Sequence, residues 1–295
     1  LDDSRFTLDL PEGGTWAPNN FDKNFHGKVQ LHEALWQSYN IATARLGMEI
    51  GVSKVLQSLK KLGYEKELIP LPSYLIGALE MTPLEVTQMY QTIASEGFFS
   101  KLRAVSHVSD PSKESVWVNS FQLKQRFRSE DIHLLKFALN QSFNEGTARG
   151  YGTNKLRQWN PGGKTGTSND QRDSWFAGYA GEYLIVIWLG FDNNKPMPLT
   201  GRSGAFQVWK GIMNEIDPVA ERIAIPKRIN YLWVDKQNGK LSSKKCRDSI
   251  NMPFIKGFEP KEYSPSSQNC RDIEGTYREE VIKKVKKIVE GIRDE

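Results

Sequence analysis

The order of the apolar patterns along the chain constrains the fold more than any other feature of the sequence. Upstream of Gly146, apolar residues recur at helical spacing, whereas two apolar, β-rich runs follow at residues 175–179 and 183–189. The turn-forming residues 180–182 separate these runs, which predicts a β-hairpin. Helical spacing then returns over residues 206–216. Because helices precede the strands instead of alternating with them, the sequence predicts an α+β fold.

Polar residues mark where the upstream helices begin. Thr82-Pro83-Leu84-Glu85 combines a capping box with proline at the first helical position. We expect the helix that follows to bury its apolar stripe, which consists of Leu84, Met89, Ile93 and Ala94. Ser129, followed by two acidic residues, predicts another helix start. The polar tripeptide Ser38-Tyr39-Asn40 interrupts an apolar-periodic segment, so two helices, or one broken helix, are expected to meet there.

The pair Asp217-Pro218 closes the last helical stretch and divides the chain into two predicted domains. Residues 1–217 carry the helices and strands described above and form the larger domain. Residues 218–295 form a smaller C-terminal unit. Its expected elements are a hairpin with strands at residues 232–234 and 240–241 around Gln237-Asn238-Gly239, an extended Pro/Ser-rich stretch over residues 259–269, and a final amphipathic helix that begins at Thr276.

Charge and composition exclude several classes of function. The 40 Lys and Arg residues exceed the 35 Asp and Glu residues by only five, and both signs are interleaved, so no nucleic-acid partner is expected. The four histidines and two cysteines show no ligand-like spacing, so the sequence predicts no metal and no cofactor. The sequence contains no apolar run of about 18 residues, which is the length needed to cross a bilayer. The chain begins at Leu1 without an initiator Met or a leader, which predicts either a mature product or a fragment of a longer protein.

The two cysteines, Cys246 and Cys270, lie in the loop-rich C-terminal unit and not in a Cys-x-x-Cys motif. A disulfide between them would indicate an oxidising compartment, whereas two independent thiols would not. The cysteine count alone supports both alternatives equally.

The sharpest chemical signal is the sequence GGKTGTSN at residues 162–169. Its Gly-Lys-Thr triplet is similar to the end of a phosphate-binding loop. However, Gln158 occupies the position of the required leading glycine, and strands, not a helix, follow. Lys164-Thr165-Gly166 instead matches the Lys-Thr-Gly element that accompanies Ser-x-x-Lys and Ser-x-Asn in active-site serine penicillin-recognising enzymes.

The Ser-x-Asn pattern occurs four times, and its context selects one occurrence. The pattern at Ser142 lies near a helix end, and those at Ser249 and Ser267 lie in the C-terminal unit. Only Ser38-Tyr39-Asn40 lies at a junction between two helices upstream of the strands. Ser38 and Asn40 are therefore the predicted partners of Lys164.

Several further segments, in the right order, resemble class A penicillin-binding proteins. The resemblance covers roughly residues 10–217 and continues more loosely into the C-terminal unit. There the cysteine pair is similar to that of 1B-type members, which favours a disulfide between Cys246 and Cys270. The segments that carry the resemblance are residues 31–43, 79–86, 145–149, 163–169, 173–179 and 188–193.

The resemblance implies a penicillin-binding, β-lactamase-like transpeptidase fold, with an antiparallel sheet flanked by helices and a helical lobe beside it. The implied function is that of a peptidoglycan D,D-transpeptidase that cross-links stem peptides ending in D-Ala-D-Ala. In this family a serine attacks the D-Ala–D-Ala carbonyl, an amine resolves the acyl-enzyme, and β-lactam antibiotics acylate the same serine. By similarity, Ser38 relays a proton to the leaving amine, and Lys164 supplies positive charge beside it.

The resemblance also implies substrate-binding roles for residues around these two. The Asn40 amide would pair with the substrate backbone. The hydroxyls of Thr165 and Thr167 would hold the terminal carboxylate, and the Thr167 backbone N–H would form half of an oxyanion hole. Gly166 would let the strand approach the substrate closely. Thr147 is expected to be loop scaffolding.

The family's Ser-x-x-Lys element does not occur upstream of Ser38. Ser58-x-x-Lys61 follows Ser38 in the wrong order and is expected on an exposed helix face, and Ser242-x-x-Lys245 lies in the C-terminal unit. The nucleophilic serine is therefore expected outside this chain, in an upstream part of the same protein. By resemblance, that part also carries a glycosyltransferase domain and a membrane anchor, which would hold this chain on the periplasmic side of the inner membrane.

Three alternative functions stay open at this point. A D,D-carboxypeptidase would use water as the acceptor, and the motifs do not separate water from an amine. A β-lactamase-like hydrolase needs Glu-x-x-Leu-Asn, whereas Glu65-Lys66-Glu67-Leu68 is followed by Ile69. A non-catalytic peptidoglycan-binding module of the same fold would need no nucleophile.

Overall fold

The computed structural model describes residues 1–10, 13–149, 158–219, 224–267 and 270. The chain forms two compact units, Leu1–Pro226 and Lys227–Glu295. The helix expected from Thr276 falls outside the described residues. Within the described ranges, no helix is long and apolar enough to cross a membrane.

The described part of the first unit contains helices and short antiparallel sheets, which confirms the predicted α+β class. The helices are α1 (Leu31–Gln37), α2 (Asn40–Ile50), α3 (Val52–Leu62), α4 (Pro83–Ala94), α5 (Ser129–Asn144) and α6 (Ala205–Ile216). The strands are β1 (Leu8–Asp9), β2 (Thr15–Trp16), β3 (Phe98–Phe99), β4 (His107–Asp110), β5 (Lys113–Val118), β6 (Lys124–Gln125), β7 (Gly162–Thr167), β8 (Asp173–Ala180) and β9 (Tyr183–Gly190).

The central sheet consists of β7, β8 and β9 in that order, with both pairs antiparallel. The hairpin of β8 and β9 confirms the prediction from the two apolar runs. On one face of the sheet, Phe176 packs against Trp209 of α6, with ring centroids 5.1 Å apart. On the other face, Tyr179 packs against Ile93 of α4 and Leu139 of α5. Helices therefore cover both faces and fix the position of β7.

Helix α4 begins as predicted, with Thr82 as N-cap and a complete capping box with Glu85. The predicted burial of Leu84 is wrong, since its side chain is 67% exposed while Met89 and Ile93 are buried. Leu84 precedes Met89 by five positions. At about 100° per residue this offset places it on the opposite side of the helix.

The second unit contains β10 (Ile229–Asp235) and β11 (Ser249–Ile255), which pair along their whole length. The turn at residues 237–239 is present, because the Gly239 N–H donates to the Asp235 carbonyl at 2.9 Å. The predicted pairing of residues 240–241 with the end of β10 is present as well, because Leu241 forms an antiparallel bridge with Val234 and the Asp235 N–H donates to the Lys240 carbonyl at 2.9 Å. The predicted hairpin therefore forms on one edge of β10, while the longer β11 pairs along the other edge.

A disulfide joins Cys246 to Cys270 in the second unit and closes a loop with a sequence separation of 24 residues. We expect a Cys246→Ser/Cys270→Ser variant to lose about 3 kcal/mol of unfolding free energy, because the unfolded chain regains the entropy of that loop. Chemical denaturation of the variant and of the wild type measures the loss.

Treatment with a reductant is the matched control. It should destabilise the wild-type protein by the same amount and leave the double variant unchanged. Equal stability of all samples would show that the disulfide does not hold this unit together.

Candidate active site

Ser38 occupies the tight turn between α1 and α2. Its backbone is in the left-handed region, with φ 63° and ψ 44°. The Ser38 N–H donates to the Leu35 carbonyl at 3.2 Å, and the Tyr39 N–H donates to the Ala34 carbonyl at 2.9 Å. A left-handed conformation costs a residue other than glycine on the order of 1–3 kcal/mol, so the surrounding structure must stabilise this turn. The two predicted helices therefore meet where the sequence placed their junction.

Side chains from the start of the chain supply much of that stabilisation. Tyr39 precedes α2 without a side-chain cap. Instead, buried Asp3 accepts a hydrogen bond from the Ala42 N–H at 3.0 Å, and buried Asn20 accepts one from the Ile41 N–H at 3.2 Å. The Asn20 amide also donates to the Asp3 carboxylate at 2.6 Å. These distant carboxylate and amide groups satisfy the free N–H groups at the start of α2.

Lys164 reaches Ser38 from the central sheet. Its ammonium group donates a hydrogen bond to the Ser38 hydroxyl at 2.8 Å and one to the Thr165 carbonyl at 3.2 Å. Burial of the ammonium group lowers the pKa of Lys164 to about 8. The structure thus brings together the two predicted catalytic residues, and the lysine has a smaller preference for its charged form than a lysine in water.

The hydroxyls of Thr165 and Thr167 lie on one face of β7, because alternate strand residues share a face. The Thr165 hydroxyl is 2.8 Å from the Thr147 hydroxyl. The Thr167 hydroxyl accepts a hydrogen bond from the Gly201 N–H at 2.8 Å. Between them, Gly166 leaves the strand open: a Cβ added there would meet only the Trp175 side chain within 4 Å.

Asn40 begins α2 beside Ser38, but its side chain is engaged elsewhere. Its amide group donates to the Asn19 carbonyl at 2.9 Å, and the hydrogen bonds of the described residues do not join it to Ser38 or Lys164. A carboxamide carries two N–H donors and one acceptor oxygen. Asn40 therefore keeps one N–H and its carbonyl oxygen for another partner.

The turn at residues 145–147 links the Ser38 turn to β7, and sequence analysis did not detect this connection. The Gln37 side chain donates to the Glu145 carbonyl at 3.0 Å, and the Thr147 N–H donates to the Trp36 carbonyl at 3.0 Å. A Cβ added to Gly146 would lie 2.1 Å from the Trp36 carbonyl oxygen. These contacts join segments far apart in the sequence, so no local pattern signals them.

Two serines that were rejected as motif residues, Ser58 and Ser142, make hydrogen bonds to backbone carbonyls. Ser58 is exposed on α3, and its hydroxyl donates to the Lys54 carbonyl at 3.3 Å. The Ser142 hydroxyl is buried within 2.8 Å of the Gly163 carbonyl and braces β7 against α5. Among the described residues, no cluster of three or more His, Cys, Asp or Glu side chains could hold a metal ion.

Two parts of the chain match protein families of known penicillin-binding proteins. Residues 6–205 match the family described as "Penicillin binding protein transpeptidase domain", and residues 225–269 match "Penicillin-binding protein 1A, C-terminal domain". Penicillin-binding protein 1B of Vibrio cholerae is 36% identical over 255 residues, which is 86% of this chain and 33% of that protein. The protein of the same name from Escherichia coli K12 is 35% identical over 79% of this chain and 28% of its own length.

Solved structures show the same fold. Penicillin-binding protein 1A from Haemophilus influenzae matches with a TM-score of 0.78 and 21% identity, over 90% of this chain and 45% of that one. PonA1 from Mycobacterium tuberculosis matches with a TM-score of 0.63 and 18% identity, over 77% of this chain and 65% of that one. The chain therefore belongs to the penicillin-binding protein transpeptidase family. It spans about a third of the length of these curated relatives.

Replacement of Gly146 tests the contact between the 145–147 turn and α1. We expect Gly146→Ala to lower the unfolding free energy by about 1–3 kcal/mol, because the new methyl group overlaps the Trp36 carbonyl. Thermal and chemical unfolding measure this loss. The matched control is Gly211→Ala on α6, where a Cβ meets nothing within 4 Å. This second variant should gain about 0.5–1 kcal/mol through helix propensity, and a stable Gly146→Ala protein would contradict the packing described here.

The lowered pKa of Lys164 predicts a pH-dependent contribution to stability. Burial lowers it from 10.5 to about 8, so below about pH 8 the folded protein carries the full cost of the buried charge. Between about pH 8 and 10.5 the unfolded chain binds a proton that the folded chain has lost, so the unfolding free energy from this group rises with pH. We expect Lys164→Met to lose that rise in chemical denaturation between pH 8 and 10.

Exposed Lys101 offers a control for the same measurement. Lys101→Met should keep the pH dependence of the wild-type protein. A Lys164→Met variant with the wild-type slope would mean that the lysine is charged at no cost in the folded protein.

Proposed function

We propose that the protein containing this chain is a peptidoglycan D,D-transpeptidase, and that this chain supplies most of its substrate-binding and proton-transfer groups. The 2.8 Å hydrogen bond between the Lys164 ammonium and the Ser38 hydroxyl carries the proposal. It joins the second and third motifs of the family, which are 126 residues apart in the sequence. A lysine without a role in chemistry usually keeps its ammonium group in water, whereas the ammonium of Lys164 is buried beside Ser38.

The proposed reaction begins with a serine from the upstream part of the protein. Its oxygen attacks the carbonyl carbon between the two D-Ala residues, and the terminal D-Ala leaves as an amine. The attacking serine gives up its hydroxyl proton, and Ser38 relays that proton to the leaving nitrogen while Lys164 supplies positive charge beside Ser38. An acceptor amine from a second stem peptide then attacks the acyl-enzyme, loses a proton by the reverse path and forms the cross-link.

The substrate-binding groups lie along β7. The Thr165 and Thr167 hydroxyls face one way from the strand and are proposed to hold the terminal carboxylate, while the Thr167 N–H donates to the developing oxyanion. Gly166 leaves room for the substrate backbone beside the strand. The free N–H and carbonyl of Asn40 are proposed to contact the substrate backbone.

The domain organisation, the location and the ligands of the whole protein follow from the same proposal. Residues 1–217 form the transpeptidase domain without its N-terminal part, and residues 218–295 form the C-terminal appendix. The family relationship supports an upstream glycosyltransferase domain and an upstream membrane anchor that holds the protein on the periplasmic side of the inner membrane. The disulfide between Cys246 and Cys270 fits an oxidising compartment. Peptidoglycan stem peptides and β-lactam antibiotics are the proposed ligands, with no cofactor.

The alternative functions receive less support from the site. Glu65, the nearest match to a deacylating glutamate, is exposed, and neighbouring Glu67 pairs with Lys60 on the surface. A carboxypeptidase would use the same groups with water as the acceptor. Release of D-Ala without cross-linked product, in an assay that supplies an acceptor peptide, would favour the carboxypeptidase.

The test is the intact mass of the full-length protein before and after incubation with excess benzylpenicillin. We expect one adduct on a serine upstream of this chain, and Lys164→Ala should slow its formation by about 10²–10³-fold because an electrostatic and proton-transfer group is lost. Ser58→Ala should form the adduct at the wild-type rate. An adduct on a serine within this chain, or none on the full-length protein, would contradict the proposal.

A further inference from the structure

The hydroxyls of Thr165 and Thr167 each meet a partner from outside β7. The Gly201 N–H donates to the Thr167 hydroxyl at 2.8 Å. The Thr147 hydroxyl lies 2.8 Å from the Thr165 hydroxyl, and either oxygen can donate. A hydroxyl has a single proton, so its direction depends on which neighbouring groups occupy its lone pairs.

These partners determine the direction of the hydroxyl protons. A backbone N–H can only donate, so the Thr167 oxygen is an acceptor towards Gly201 and its own proton is directed elsewhere. A carboxylate can only accept. When Thr165 donates to a carboxylate, Thr147 must donate to Thr165, because that hydroxyl has no second proton.

We propose that Thr147 is a positioning residue that fixes the direction of the Thr165 hydroxyl proton and thereby makes this site selective for ligands with a free carboxylate. The inference rests on the proposed function of the same site and assigns Thr147 a role beyond loop scaffolding. With both oxygens already accepting, the Thr165 and Thr167 protons form a pair of donors on one face of β7. An anion satisfies both donors, and charge-assisted hydrogen bonds are about twice as strong as neutral ones.

The structure fixes the position of Thr147 as well as its hydroxyl. Its N–H donates to the Trp36 carbonyl at 3.0 Å, and Gly146 packs directly against that same carbonyl. The side chain is partly buried, and the next residue, Ala148, is fully buried. Thr147 thus connects the turn that bears Ser38 with the carboxylate end of the site.

Two substitutions in the full-length protein separate the hydroxyl from the shape of the side chain. Thr147→Val removes the donor and keeps the branched side chain, whereas Thr147→Ser keeps the donor. The probes are benzylpenicillin and its methyl ester, which differ in the free carboxylate. We expect Thr147→Val to slow acylation by benzylpenicillin about tenfold and by the ester less than about twofold, because a hydrogen bond directed to a charged group is weakened.

Controls distinguish this role from a structural one. Thr147→Ser should recover most of the rate with benzylpenicillin. Thr87→Val, which removes a hydroxyl that bonds to the Pro83 carbonyl on α4, should change neither rate. An equal loss with both probes would assign Thr147 a packing role, and unchanged rates would show that it has no role. Either result overturns the inference.

A second measurement keeps this inference separate from the proposed function. If the wild-type protein is not acylated at all, the proposed transpeptidase function fails. Calorimetric binding of N-acetyl-D-Ala-D-Ala and of its C-terminal amide then tests the inference directly. A preference of the wild-type protein for the acid that Thr147→Val loses and Thr147→Ser keeps would support it. Equal binding of acid and amide by the wild-type protein, or an unchanged preference in Thr147→Val, would overturn it.

Discussion

The site depends on one hydrogen bond that connects the helical part of the first unit to its sheet. Lys164 donates to Ser38 only if β7 and the α1–α2 turn are both held in place. The sheet side is rigid because helices cover both faces and because the buried Ser142 hydroxyl contacts the Gly163 carbonyl. The helical side is held by groups outside the turn, chiefly Asp3 and Asn20. The geometry of two side chains thus rests on the packing of most of the unit.

Much of this arrangement could be predicted from local sequence patterns. The β8–β9 hairpin followed from two apolar runs and a short turn, and the start of α4 followed from a capping box. Lys164 and Ser38 were found through short motifs whose residue types carry chemistry. The predictions failed where a choice depended on distant contacts. Leu84 occupies a helix face that lies outside the core, and no local pattern marked β11 as the long partner of β10.

The groups that support the site were the hardest to predict. Asp3 and Asn20 lie in a segment rich in Asp, Gly, Pro and Asn, which is typical of exposed loops, yet both side chains are buried. Burial of such side chains depends on partners that they meet only after folding, here the N–H groups of Ile41 and Ala42. The contact between the Thr147 and Thr165 hydroxyls likewise forms only when the fold brings two distant segments together. Pattern-based analysis finds reactive groups more readily than the groups that orient them.

The strained conformation of Ser38 has an evolutionary consequence. Because Asp3 and Asn20 hold the start of α2, residues near the beginning of the described chain help to fix the turn that carries Ser38. Substitutions there change the shape of the Ser38 turn while all three members of the Lys-Thr-Gly element stay intact. A comparison of sequences that reads only the motif residues would therefore miss variants in which the Ser38 turn is altered through this supporting segment.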